Sequence, residues 1–111
     1  MLNFDLQVAV LQSLVPSYID DRRIEISSKQ FAVSNDIFII NMTYLKKEKL
    51  VDISSLNSKN HAVVAMVADE AETVKATETV TLARCYLTHL GLKALSAHTQ
   101  VKLIQAWNYS G

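Results

Sequence analysis

The residue types that support acid–base, nucleophilic or metal chemistry are few in this chain and are poorly spaced for it. The histidines His61, His89 and His98 share no metal-ligand spacing with one another or with the single cysteine, Cys85. Cys85 lies in a predicted strand, which is typical of a packed small hydrophobic residue. A nucleophilic pair of Cys85 with His61 or His89 stays open as an alternative that no motif supports. We therefore predict no catalytic, cofactor-binding or metal-binding residues, and a protein that is not an enzyme.

Composition favours one globular domain over the whole chain, residues 1–111. Half of the residues are hydrophobic and 20% are charged, so a packed core is expected rather than disorder. Lysine plus arginine and aspartate plus glutamate both number 11, so the net charge is zero and DNA binding would need a local basic patch. A single cysteine, no signal-peptide pattern and no long apolar run predict a cytoplasmic protein that does not enter membranes.

The first third of the chain predicts a helix, a strand and a second, short helix. Asn3 is expected to cap a helix that ends or kinks near Pro16. The apolar stripe of this helix would be Phe4, Val8, Leu11 and Val15. Asp20–Asp21 predicts a turn, residues 23–26 a candidate short strand, and residues 27–32 a short helix.

The middle of the chain predicts a long helix followed by a β-hairpin. Ser34 is expected to cap a helix over residues 35–49, whose core stripe would be Phe38, Met42 and Leu45. Residues 54–60 are polar and predict a loop, whereas residues 61–67 and 77–86 predict two strands on either side of an acidic break at residues 69–72. The hairpin would cover the core stripe.

Two further helices are expected at the C-terminal end of the chain. Thr88 would cap the first and Thr99 the second, which would span about residues 99–109. The resulting order of helix, strand, short helix, long helix, hairpin and helices predicts an α+β winged helix-turn-helix. This fold is mostly helical, has a two-stranded wing, and would have its core at about residues 4–97.

Two motifs in this order resemble a known family. Residues 31–51 (FAVSNDIFIINMTYLKKEKLV) resemble the end of a recognition helix and its exit into a wing, and residues 86–95 (YLTHLGLKAL) resemble the strand-to-helix step after the wing. Together they are similar to the YjcQ-type winged-helix proteins of prophages and, more distantly, to the MarR and PadR regulators. Such proteins usually have glycine before the Leu–Val pair, where this chain has Lys49.

The resemblance implies a DNA-binding transcription regulator with the helix at 35–49 in the major groove of duplex DNA. Base and phosphate contacts on that helix would come from Asn35, Asn41, Thr43, Lys46 and Lys47. A second basic cluster, Arg22, Arg23 and Lys29, would contact phosphates, although Asp20 and Asp21 could neutralise its arginines locally.

The alternative function is a winged-helix module that binds a host or phage protein instead of DNA. Isoleucines occupy the middle of the recognition face and acids dominate the wing tip, so phosphates would be repelled there. The expected protein interface is Ile39, Ile40, Tyr44, Asp69, Glu70 and Glu72. A homodimer is also possible on this pattern, with contacts from the terminal apolar residues Val101, Ile104, Trp107 and Tyr109.

Overall fold

A computed structural model of the chain describes the backbone of residues 1–66 and 73–110, and the side chains of residues 1–60 and 78–100. It is an α+β structure in which helices pack against a three-stranded antiparallel sheet. The elements in chain order are α1 (Phe4–Ser13), α2 (Val15–Asp20), β1 (Ile24–Ser27), a 3-10 turn (Lys29–Phe31), α3 (Asn35–Lys47), β2 (Val51–Met66), β3 (Thr73–Leu87) and α4 (His89–Ser110).

The N-terminal helix begins and breaks where its local sequence requires. Asn3 Oδ1 accepts a hydrogen bond from the N–H of Leu6 at 3.0 Å, so the predicted cap is confirmed. α1 ends at Ser13, and α2 follows with Pro16 in its first turn, where the missing N–H of proline costs nothing. The predicted apolar stripe of α1 is confirmed at Leu11, which is buried, and at Val8 and Val15, which pack against the core, but it is wrong at Phe4, which is 62% exposed. The residues that α1 and its C-cap bury most deeply are Leu6, Val10, Leu11 and Leu14.

The predicted short strand and the hairpin are both confirmed. β3 lies in the middle of the sheet, with β1 on one side and β2 on the other. β1 pairs with β3 from Ile24 opposite Cys85 to Ser27 opposite Leu82. β2 and β3 pair from Val51 opposite Leu87 at the core end. The acidic break predicted at residues 69–72 lies outside the described residues.

The loop predicted at residues 54–60 is wrong, because this segment belongs to β2. Its polar side chains pair with polar side chains of β3: Ser58 Oγ lies 3.0 Å from Thr81 Oγ1, and Asn60 Oδ1 accepts from Thr79 Oγ1 at 2.8 Å. A β-bulge between Ile53 and Ser55 marks the start of the polar stretch. Cross-strand pairing therefore overrides the local preference of serine and asparagine for loops.

The core forms between α1, α3 and the inner face of the sheet. Phe38, Met42 and Leu45 are all fully buried, which confirms the predicted stripe of α3. They belong to one apolar cluster with strand residues that include Ile53 and Cys85. Burial of side chains of this size stabilises a fold by about 1.5–3 kcal/mol each, so this stripe sets how α3 lies on the sheet.

Lys49 adopts the left-handed conformation, with φ of 64°, which glycine adopts most readily. The N–H of Leu50 donates to Leu45 O and the N–H of Lys49 donates to Lys46 O, both at 3.0 Å. These two bonds form a Schellman motif, which ends α3 cleanly. The helix therefore ends in a left-handed turn, and a lysine rather than a glycine bears its backbone strain.

α4 is one continuous helix, so the prediction of two helices is wrong. Thr99 lies inside it, and its hydroxyl donates to Leu95 O at 3.1 Å instead of capping a new helix. Thr88 does cap the start, since its Oγ1 accepts from the N–H of Gly91 at 3.0 Å. Among the described residues no helix is apolar over the length that crossing a membrane requires.

Candidate nucleic-acid interface

The outer face of α3 is the surface on which the DNA contacts were predicted to lie. Ser34 caps the helix by accepting from the N–H of Ile37 at 3.3 Å, and α3 then runs to Lys47 with its core stripe turned inward. At about 100° per residue, the side opposite the core stripe carries five of the residues considered for contacts. Of these, Lys46 and Lys47 are exposed, and Ile39, Ile40 and Thr43 are half-buried.

Cations concentrate at the C-terminal end of this face. Lys46 and Lys47 lie in the last turn of α3, where they also interact favourably with the helix dipole, and Lys49 is exposed just beyond them. Asp36 lies in the first turn, at the opposite end. The salt bridges within the described side chains use none of the three lysines. This end of α3 can therefore meet an anionic partner.

Asn41 cannot contact DNA, which corrects the prediction for this residue. It is fully buried, and its amide joins α3 to the N-terminal segment. Its Oδ1 accepts from Asn3 N at 2.8 Å and from Gln7 Nε2 at 3.0 Å. Its Nδ2 donates to Ile37 O at 2.8 Å and to Met1 O at 3.1 Å. The position lies between the core stripe and the outer face, so helical spacing alone does not show which way the side chain turns.

Asn35 is also committed to the fold, which corrects the expectation that it reads bases. Its Oδ1 accepts from Ser28 Oγ at 2.8 Å, and from Thr81 N and Thr81 Oγ1 at 2.9 Å each. Its Nδ2 donates to Thr79 O at 2.8 Å. Ser28 and Thr81 are themselves buried. Asn35 therefore fastens the start of α3 to β3 and leaves little hydrogen-bonding capacity for a base edge.

The predicted phosphate cluster of Arg22, Arg23 and Lys29 is divided by ion pairs. Arg23 Nη2 lies 2.7 Å from Asp52 Oδ1, Arg23 Nη1 donates to Asp52 O at 3.2 Å, and the guanidinium lies 4.5 Å from the centre of the Tyr86 ring. Arg23 immediately precedes β1, Tyr86 lies on β3 and Asp52 lies on β2, so the described ion pair of Arg23 is with Asp52 rather than with Asp20 or Asp21.

The other two members of that cluster are Lys29, which forms an ion pair with Glu78, and Arg22. Lys29 Nζ lies 3.3 Å from Glu78 Oε2, on a pair that is largely exposed and therefore weak. Arg22 is exposed. Some of the predicted DNA contacts are accessible and form no ion pair among the described side chains. These are Arg22, Thr43, Lys46 and Lys47.

The residues predicted for a protein interface or a dimer are only partly described. Ile39 and Ile40 are half-buried on the outer face of α3, and Tyr44 is 36% exposed beside them. The wing acids Asp69, Glu70 and Glu72 lie outside the described residues. The backbone of α4 is helical as far as Ser110, but the side chains predicted for a dimer, Val101, Ile104, Trp107 and Tyr109, lie outside the description. The homodimer stays a prediction.

Cys85 has the environment of a structural thiol. It is fully buried in the sheet, and this burial raises the pKa of its thiol from 9.0 to about 12. His89, one of the two histidines considered as its partner, instead lies with its Nδ1 3.2 Å from Tyr18 Oη. The thiol of Cys85 stays protonated at neutral pH, which argues against a nucleophilic role. Within the part of the chain that is described, no three His, Cys, Asp or Glu side chains converge as a metal site.

Sequence reasoning missed an exposed apolar surface at the N-terminus. Phe4 was expected in the core, yet Met1, Leu2 and Phe4 are 84%, 57% and 62% exposed. The signal available in the sequence was Asn3, since a cap at this position leaves the residues before it outside the helix.

Comparisons with protein-family models, with curated proteins and with solved structures find no match to this chain.

Proposed function

We propose that this chain is a small winged-helix DNA-binding protein, in which α3 is the recognition helix and the β2–β3 hairpin is the wing. The element order and the sheet order β1-β3-β2 are compatible with a helix-turn-helix followed by a hairpin, and they support this assignment. Resemblance of residues 31–51 and 86–95 to prophage winged-helix proteins points the same way. A role in transcription regulation is part of the proposal.

The observation that carries the proposal is the exposed cationic end of α3. Lys46 and Lys47 are exposed on the face of a helix that lies next to a long hairpin, which is the geometry that a major groove accepts. Because the whole chain has no net charge, the affinity would come from this local patch, with Arg22 as a further phosphate contact.

Base reading would be apolar rather than polar. Asn35 and Asn41, the amides expected to read bases, are used inside the fold. The accessible groups in the middle of the outer face are Ile39, Ile40 and the methyl-bearing Thr43, all half-buried. Apolar side chains in the major groove contact the C5-methyl group of thymine. We therefore expect modest sequence preference, directed at thymine-rich sites.

The test compares labelled 20-base-pair duplexes by fluorescence anisotropy at 50, 100 and 200 mM NaCl. A thymine-rich duplex is expected to bind tighter than the same duplex with uracil in place of thymine, since only the methyl groups differ. The double variant Lys46→Glu plus Lys47→Glu should abolish binding or lower the slope of log K against log salt by about 2. Lys93→Glu, an exposed lysine on α4, is the control and should leave the slope nearly unchanged.

A second candidate function is the protein-interaction module, which the isoleucines of α3 favour. Ile39 and Ile40 occupy the middle of a face on which no amide remains available, and Tyr44 adds an exposed aromatic ring. This candidate predicts no DNA binding even at 50 mM salt. If wild type binds either duplex and the double lysine variant does not, the result supports the DNA-binding function. If wild type shows no detectable binding to DNA at 50 mM salt, the result favours the protein-interaction module.

A further inference from the structure

The β2–β3 hairpin continues well past the third strand of the sheet. β1 ends at Ser27, opposite Leu82 of β3, whereas β2 and β3 go on pairing as far as Met66 opposite Thr73. We call the outer part of the hairpin, residues 60–66 of β2 and 73–79 of β3, the ribbon. In the described backbone the ribbon is two-stranded. A two-stranded hairpin is only marginally stable in water, and further strands stabilise it.

The two edges of the ribbon differ in charge. An antiparallel strand at the edge of a sheet directs every second N–H and C=O away from its neighbour, so each edge offers hydrogen bonds to a further strand. The β3 edge carries Lys75 and Glu78, and charges of this kind keep exposed edges from pairing. The β2 edge, residues 60–66 (NHAVVAM), has no lysine, arginine, acid, proline or glycine. The β2 edge is therefore the one that is open to pairing.

The β2 edge is complementary to a second copy of itself. An antiparallel alignment centred on Val63 places this residue opposite Val63 of the second copy. The same alignment places Val64 opposite Ala62 and Ala65 opposite His61, so neither like nor unlike charges meet. Uncharged pairs that contain β-branched residues stabilise antiparallel strands. Because the alignment is two-fold symmetric, both copies contribute the same surface.

We infer that two copies of this chain associate along the β2 edge, so that the two ribbons form one four-stranded antiparallel sheet. The occupant is a second copy rather than an extended peptide for a physical reason. Each copy brings a strand that pairing with β3 has already ordered, so association does not pay for ordering a flexible segment.

The proposed interface is separate from the cationic end of α3. β2 begins at Val51, just after α3, and the ribbon begins at Asn60, about 30 Å further along the strand. The inference therefore goes beyond DNA binding and does not depend on it. It also differs from a dimer through the end of α4, which the sequence analysis predicts.

Sedimentation velocity of the full chain without DNA, over about 1–200 µM protein, tests the inference. Wild type should shift from monomer to dimer as its concentration rises. Ala62→Glu plus Val64→Glu places like charges opposite each other across the two-fold axis and should weaken the dimer about tenfold or more. Ala62→Lys plus Val64→Glu places opposite charges at the same positions and should retain the dimer. The new acid at position 64 lies opposite Lys75 of β3 in both variants, so they differ only at position 62.

The control for the other edge is Thr77→Glu, which adds an acid to β3 opposite Ala62 and should leave the dimer unchanged. Circular dichroism shows whether each variant is folded. Wild type that stays monomeric over the whole range would overturn the inference, as would equal effects of the two double variants. A dimer that Ile104→Ser dissociates and both double variants leave intact would also overturn it, because the contacts would then lie on α4.

Chemical cross-linking locates the interface without adding charge. Val63→Cys treated with a short bismaleimide should give a cross-linked dimer, because residue 63 faces its own copy at the two-fold axis. Thr77→Cys, on the strand away from the axis, should give little cross-linked product. The native Cys85 is fully buried, so the reagent should spare it in the folded protein. Equal cross-linking of the two variants would contradict pairing along β2.

Discussion

Gly91 of α4 packs directly on the backbone of Leu50, at the turn that joins α3 to β2. A Cβ at position 91 would collide with the Leu50 carbonyl oxygen and lie 2.7 Å from Leu87 Cδ1. Thr88 ties the same turn, since its N–H donates to Leu50 O at 3.2 Å and its hydroxyl donates to Lys49 O at 2.7 Å. These contacts fix the start of α4 to the end of α3.

Gly91→Ala should therefore destabilise the protein. The added methyl group meets backbone rather than a flexible side chain, so α4 must shift, and overpacking of this kind costs about 1–3 kcal/mol. Urea unfolding followed by circular dichroism measures the loss. Ser96→Ala, an exposed position on the same helix, is the control and should change stability by less than about 0.5 kcal/mol. Equal stability of Gly91→Ala and wild type would contradict the close packing.

Lys49→Gly should stabilise the protein by about 0.5–1 kcal/mol, because glycine relieves the strain of a side chain at φ of 64°. Lys47→Gly makes the same chemical change two residues earlier, inside α3, and should destabilise by about the same amount. Thermal unfolding of the two variants side by side checks the opposite signs. If both lower the melting temperature, the helix does not end in the left-handed turn.

Asn41→Ala and Thr43→Ala should separate folding from DNA binding. Removal of the Asn41 amide leaves its buried partner Gln7 and the carbonyl of Ile37 without it, at a cost of about 2–3 kcal/mol in unfolding free energy. Thr43→Ala should lower affinity for the thymine-rich duplex with little change in the urea midpoint. A stable Asn41→Ala with weakened DNA binding would restore Asn41 as a contact residue.

Cys85 should make stability depend on pH in the alkaline range. The unfolded thiol has its ordinary pKa near 9.0, and the pKa of the buried thiol is about 12, so the unfolded chain loses the proton first. The stabilisation is complete below pH 9 and is lost as the pH rises from 9 to 12. Between pH 8 and 10.5 wild type should lose about 1–2 kcal/mol more than Cys85→Ala. Parallel pH profiles of the two proteins would contradict this burial.

Local sequence features predict most of the elements, and particular residues show why. Asn3, Ser34 and Thr88 each cap a helix through a hydrogen bond within its own segment. Each of these capping bonds spans three residues. The core stripe of α3 follows from helical spacing alone. The prediction fails for residues 54–60, where the strand depends on pairing with residues of β3 that lie 19 to 29 positions away in the chain.

The difference between local and long-range contacts also explains which residues of the candidate site could be predicted from the sequence. Lys46 and Lys47 could be assigned to the outer face because charged side chains in the last turn of a helix stay exposed to water whichever element the helix packs on. For Asn35, Asn41 and Arg23, helical or strand position leaves the orientation open, and remote partners on β3, on α1 and at Asp52 decide it.

The sequence by itself determined where α1, α3 and α4 begin, which side of α3 is apolar, and that the chain has no net charge. Only the tertiary structure decided which polar groups are left for a ligand, because a hydrogen bond or ion pair between distant segments satisfies a side chain that its neighbours in sequence cannot. It also decided that Phe4 lies on the surface, whereas Leu6, Val10 and Leu14 are the residues of this segment that enter the core.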